Sequence, residues 1–222
     1  MAMSAVVVSD QVRIPSWVKD LSAFRRWARS EAHPERGWVS FLDGELWVDT
    51  HMEQLFTHNR VKTCYTVTVG GLVEAEDRGY YFSDRCLLSH RAANLSTEPD
   101  GTFCSWASID EGRVQLVEGE EEGFVELEGT AGMALEVVSA YSVRKDKSIL
   151  RNLYWRAKVP EYWLVDVRKP PVQFDILRWT YRGYSSTRAK HGWLRSRVLD
   201  HSFLLEAEAD RLGHPKYFLR VD

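Results

Sequence analysis

The chain is poor in the features that would declare a compartment or a partner at once. Its 222 residues include three cysteines, and Cys64, Cys86 and Cys104 are odd in number and widely spaced. Neither a disulfide framework nor a C-x₂-C zinc site can be built from them, and a reducing cytoplasm is the expected compartment. Long apolar runs are also missing. Stretches such as Ala5-Val6-Val7-Val8 are far too short to span a bilayer, and no basic segment precedes a leader-like apolar stretch. Neither a membrane partner nor a secretory signal is expected. Positive charge is not in excess: 29 Lys and Arg stand against 32 Asp and Glu, a net charge of -3. No global basic field announces nucleic acid, so any cationic contact surface has to be local. Internal repeats and low-complexity blocks are absent as well.

What is present is ordinary for a folded domain. Hydrophobic residues make up 44% and charged residues 27%, enough for one large core or one domain with an appendage. Of the nine tryptophans, most belong in a core; stacking on nucleic-acid bases is the minority reading.

Residues 1–37 read as an N-terminal extension. Pro15-Ser16-Trp17 opens a helix through Leu21, Phe24 and Trp27, with Arg25, Arg26 and Arg29 on its outer side, and residues 30–37 form a loop around Pro34. Residues 38–222 read as one α/β domain. Two alternating runs, Trp38 to Leu42 and Glu45 to Val48, flank Asp43-Gly44, a strong hairpin signal. Val61, Cys64, Tyr65, Thr68, Val69 and Leu72 then follow the period of one helix face, against the low propensity of Gly70-Gly71. Short strands are expected at Tyr80 to Phe82 and at Cys86 to Leu88, a turn at Asn94 to Pro99, and a strand from Thr102 to Trp106. Residues 108–130, with Glu118, Glu120, Glu121, Glu122, Glu126 and Glu128, read as an acidic surface excursion. Met133 to Val138 is an apolar strand with the signature of a central position, interrupted only by Glu136. A helix through Ile149, Leu150, Leu153, Tyr154 and Ala157 follows, with Lys147, Arg151 and Lys158 on its polar flank. A strand from Tyr162 to Asp166 comes next, then an antiparallel pair around Arg182-Gly183. Beyond Trp193 the reading is one more strand and a polar tail.

Two acids stand at the edges of apolar, strand-like runs. Asp100 follows Glu98-Pro99, and Glu136 lies inside Leu135-Glu136-Val137-Val138. A carboxylate ionised out of water must be paired or metal-bound. Two on strand-like runs suggest hard oxygen ligands for Mg²⁺ or Mn²⁺, the layout of metal-dependent phosphodiester cleavage.

These stretches carry a resemblance. In chain order, Asp43-Gly44-Glu45-Leu46, His58, Glu98-Pro99-Asp100, Leu135-Glu136-Val137-Val138-Ser139, and Leu153-Tyr154 through Pro160 to Asp166 resemble the Uma-two family, restriction-endonuclease-like proteins of the PD-(D/E)XK nuclease superfamily. The resemblance implies a mixed β-sheet core of αβββαβ order flanked by helices, and Mg²⁺-dependent (or Mn²⁺-dependent) cleavage of DNA, or of RNA. By position, Asp100 and Glu136 match the two metal-ligating acids of the family motif, and His58 matches a histidine of the first core helix. The usual motif lysine is replaced by Val138. Leu150 stands where family members often carry it instead.

Lys147 and Lys145 are the two candidates for the missing cation. Arg144 and Arg151 join them as candidate nucleic-acid contacts, with Arg25, Arg26 and Arg29 as an extension of the track. A homodimer would suit a two-fold symmetric duplex substrate. Two alternatives stay open: a catalytically degenerate nuclease-fold module that binds nucleic acid or a protein, and an unrelated α/β interaction protein in which Glu136 is paired with Arg144 or Arg151.

Overall fold

The computed structural model describes residues 5–9, 12–34, 37–120 and 123–222, so the expectation for Glu121 and Glu122 lies outside the described residues. A hairpin of β1 (Ala5–Ser9) and β2 (Val12–Pro15) leads into helix α1 (Leu21–Ala28). The Ala23 amide donates to the Asp20 carboxylate at 2.8 Å, which fixes the start of α1. Asp43 and Gly44, at φ 51° and 96°, turn β3 (Trp38–Leu42) into β4 (Glu45–Asp49). Paired left-handed residues are what a two-residue hairpin requires.

Helix α2 spans residues 55–75. Val61, Tyr65, Val69 and Val73 are fully buried along it, so packing overrides the poor propensity of Gly70-Gly71. The chain continues through β5 (Gly79–Ser83), β6 (Leu87–His90), β7 (Leu95–Thr97), β8 (Gly101–Ser105), the short helix α3 (Trp106–Asp110), β9 (Val114–Glu118), β10 (Phe124–Gly129) and β11 (Met133–Val137). Helix α4 covers residues 145–156. It is followed by β12 (Glu161–Asp166), β13 (Gln173–Thr180), β14 (Gly183–Ser186), β15 (Leu194–Arg195), β16 (Ser202–Ala209) and β17 (Pro215–Val221). No helix is long and apolar enough to cross a membrane among the described residues.

The central sheet runs β14-β13-β12-β11-β8-β5. It is antiparallel except where β11 pairs with β12, and that parallel step is crossed by α4. All five residues of β11 are buried, as its uninterrupted apolar run requires. Alternation sorts them: Met133, Leu135 and Val137 join the core that holds α2, whereas Ala134 joins the core that holds Leu150, Leu153 and Tyr154 of α4. Glu136 shares Ala134's side by the same period. A second sheet, β4-β3-β7-β6-β10-β9, closes the α4 side with Leu42, Leu88, Leu95 and Leu127. The mixed-sheet α/β architecture expected from the sequence is present.

Four local expectations are corrected. Asn94 to Pro99 is not all turn, because β7 occupies Leu95–Thr97. Its hydroxyls are paired across strands, Ser96 with Ser89 at 2.7 Å and Thr97 with Ser40 at 2.9 Å, so residues of turn-like composition sit buried in a sheet. The acid-rich segment forms β9 and β10. Glu126 is buried there and binds Arg25 through bonds of 2.5 and 3.1 Å. Arg25 therefore lies inside, 6% exposed, rather than on the outer side of α1. The C-terminal segment is a three-stranded sheet, and Phe203, Leu205, Tyr217 and Leu219 complete the core under α2.

Candidate active site

Asp100 and Glu136 are brought to one cavity by adjacent strands. Asp100 immediately precedes β8, which pairs with β11 in the register Leu135↔Gly101. The Val137 amide donates to Asp100 Oδ2 at 2.7 Å and locks the carboxylate against the end of β11. Beside it, Gly101 leaves room for the Tyr81 hydroxyl, with which a Cβ would collide. Glu136 is 2% exposed and accepts from the Tyr154 hydroxyl of α4 at 2.7 Å. Both acids line a cavity of about 680 Å³ together with Glu53, His58, Glu98, Lys145, Asp146, Arg168 and Lys169.

The electrostatics follow from that crowding. Burial pushes Glu136 well above the usual carboxylate range; Lys145 opposes the shift, while Asp146 and Asp100 add to it. Burial also raises Asp100, against the pull of His58, Lys62 and the Val137 amide. Asp146, buried and held by the Ser142 hydroxyl, is pushed up to about 6. Burial works against charge on Lys145, but Glu136, Asp146 and Asp100 outweigh it and hold the ammonium above its ordinary range. In short, burial above all pushes Glu136, Asp100 and Asp146 up, and Lys145 pulls each of them back.

Of the predicted residues, the structure gathers Asp100, Glu136, His58 and Lys145. His58 Nε2 lies 3.6 Å from Asp100 Oδ2, and its Nδ1 lies 3.5 Å from Glu53. Burial would lower this imidazole, yet Glu53 and Asp100 raise it overall. Lys147 does not line the cavity; its ammonium is bonded to Asp166 at 2.6 Å. Arg144 lies over the Trp47 ring at 5.8 Å, and Arg151 donates to the Tyr184 carbonyl at 3.3 Å, so neither pairs with Glu136 nor lines the cavity. Arg25 is consumed by Glu126 and Glu128, and Arg29 lies 3.3 Å from Glu126.

Sequence reasoning missed Lys62, which is buried, bonded to Glu53 and Asp84, and 3.9 Å from Asp100. The signal was its place four residues after His58, on the same face of α2. It also missed Arg168 and Lys169, which reach the cavity from the loop after β12.

The donor set was tested against a divalent metal. Among the described residues no group of three or more His, Cys, Asp or Glu side chains is arranged to hold an ion. Asp100 and Glu136, facing one cavity, offer the one or two carboxylates through which Mg²⁺ or Mn²⁺ binds, water and phosphate oxygens completing the shell. The buried Oδ1 of Asp146 and Oε2 of Glu98 accept no hydrogen bond, although Lys145 lies 3.5 Å from the first and Arg85 3.6 Å from the second. The residues fit such an ion.

Comparison with known proteins bears on the fold and the family. No curated protein matches the chain. Among solved structures, a crystal structure titled as "a putative nuclease belonging to DUF820 from Anabaena variabilis ATCC 29413" superposes with a TM-score of 0.56 at 14% identity, covering 82% of this chain and 90% of that one. At that identity the likeness establishes the fold alone. The Uma2 family model, described as "Putative restriction endonuclease", matches residues 21–197, most of the chain and all of the cavity-lining elements. The chain belongs to the Uma-two family of restriction-endonuclease-like proteins.

Proposed function

We propose that the chain is an endonuclease that hydrolyses phosphodiester bonds of DNA, with Mg²⁺ or Mn²⁺ held by Asp100 and Glu136. One observation carries this reading: two acids from neighbouring strands face the same cavity, and the lysine raised by both of them faces it too. When bound, such an ion supplies a water of lowered pKa and polarises the scissile phosphate.

The chain's own groups supply the rest. Lys145 keeps its proton at neutral pH because Glu136, Asp146 and Asp100 surround it, so its ammonium can orient the attacking water and offset phosphate charge. It takes the role left vacant at Val138 and Leu150. His58 and Lys62 both pull Asp100 down against the burial that raises it. Arg168 is fixed by two bonds to Asp166 at 2.9 and 2.8 Å and, with Lys169, offers cations to the strand backbone at the rim.

The test has two parts. Millimolar Mg²⁺ or Mn²⁺ should raise the thermal midpoint of the wild type, and Glu136→Ala should abolish the rise. DNA, plasmid or single-stranded, should be cleaved in Mn²⁺ by the wild type and not by that variant, with RNA tried in parallel. A folded, metal-responsive protein that cuts neither would favour the degenerate binding module instead. The expected homodimer is read separately by sedimentation velocity.

A further inference from the structure

The acids lie deep and the mouth above them is aromatic. Tyr141, in the loop after β11, is 68% exposed, yet its ring stacks face to face on His51 from the loop after β4, with centroids 3.6 Å apart and planes 11° apart. The His51 ring is itself tied down, Nδ1 lying 2.9 Å from Asp49 Oδ1. Met52, beside it, is 94% exposed. All four of these side chains line the cavity that holds Asp100 and Glu136. A large aromatic left mostly in water, but held rigid by a partner from another loop, is a preformed stacking surface rather than a piece of core.

Among the described residues, few cations line the cavity. Lys145, Arg168 and Lys169 line the cavity beside Asp49, Glu53, Glu98, Asp100, Glu136 and Asp146. Duplex binders draw their affinity from many phosphate contacts, more than Lys145, Arg168 and Lys169 in the cavity lining supply. A duplex also keeps its base faces stacked on one another, whereas an unpaired strand offers them to aromatic side chains.

Resting on the nuclease reading above, we infer that the substrate is an unpaired nucleic-acid strand. One of its bases stacks on the Tyr141–His51 platform, and Arg168 and Lys169 lead its phosphate toward the acids.

The experiment is fluorescence anisotropy with end-labelled oligonucleotides in EDTA, so that binding is read without metal or cleavage. Single-stranded DNA, single-stranded RNA and the matching duplex are compared. The wild type should bind a single strand at least about tenfold more tightly than the duplex. Tyr141→Ala should weaken single-strand binding about tenfold, and Tyr141→Phe should retain it. The proposal is overturned if the duplex binds as well or better, if Tyr141→Ala is without effect, or if Phe fails as Ala does. The metal-induced rise in thermal midpoint, measured on the same samples, separates the two claims. Duplex preference with an intact metal response sinks only the strand proposal. Single-strand binding with no metal response sinks the nuclease reading and leaves the platform standing.

Discussion

Glu161 and Glu136 lie on neighbouring strands, are 1% and 2% exposed, and live in opposite surroundings. Glu161 collects donors: the Trp163 indole at 3.0 Å, the Ser196 hydroxyl at 2.7 Å and the Arg197 amide at 2.6 Å. Glu136 accepts one hydrogen bond among the described residues, from Tyr154, and faces two further acids. A buried carboxylate with a structural task is saturated by its neighbours. One that is left short, beside a cavity and a lysine, is held ready for a ligand. Glu126, gripped by Arg25, belongs with Glu161.

Four measurements would break or sharpen this contrast. Glu136→Gln should lower metal-dependent DNA cleavage at least ~10³-fold, since it removes a ligand worth several kcal/mol to the transition state; near-normal turnover would remove Glu136 from the chemistry. In stability the order should reverse. Glu161→Ala strands several buried donors and should cost about 3 kcal/mol or more in urea unfolding. Glu136→Gln in chelator should fall within about 1 kcal/mol of wild type or gain, because it relieves an ill-solvated acid. Equal losses would erase the distinction.

Next come the two lysines. Lys145→Met should slow cleavage by ~10²-fold or more, whereas Lys147→Met, which breaks only a partly exposed pair with Asp166, should change it less than about fivefold. The reverse order would move the catalytic cation out of the cavity.

The smallest effect concerns pH. Burial, with Arg85 adding to it, holds His33 down from 6.5 to about 4, and its ring packs edge-on to Trp27 at 4.8 Å. Between those values the unfolded chain binds the proton that the folded one refuses, so stability falls as pH falls. The loss from pH 6.5 to 5 should be about 1.5 kcal/mol, and His33→Phe should flatten that part of the profile. An unchanged slope would show that other groups govern acid sensitivity there.

Much of the frame was legible in the residues because local rules were strong. Asp43-Gly44 has one cheap hairpin geometry, Val61 to Val73 has one periodic face, and β11 is too apolar to lie anywhere but the middle of a sheet. Glu136 stood out because it interrupts an apolar run, and Asp100 because it stands at the edge of one. What escaped depended on partners distant in sequence. Arg25 looks like a solvated helix charge until Glu126, on β10, is placed beside it. Ser96 and Thr97 look like turn residues until Ser89 and Ser40 meet them. Lys145 and Lys147 share a helix and a charge, and spacing alone could not divide them; Asp166 on β12 draws one away, and the acid pair keeps the other.

The parallel step between β11 and β12 obliges the chain to arch back over the sheet, and the arch descends onto the same side as Glu136. Its first turn therefore hangs above the strand's end wherever the intervening loop allows. A positive group can move from strand to helix, or along the helix by one turn, and still arrive at the same point in space. Pattern searches that fix the interval between acid and lysine will pass over such chains, whereas a search anchored on the acid and on whatever the arch suspends above it would find them.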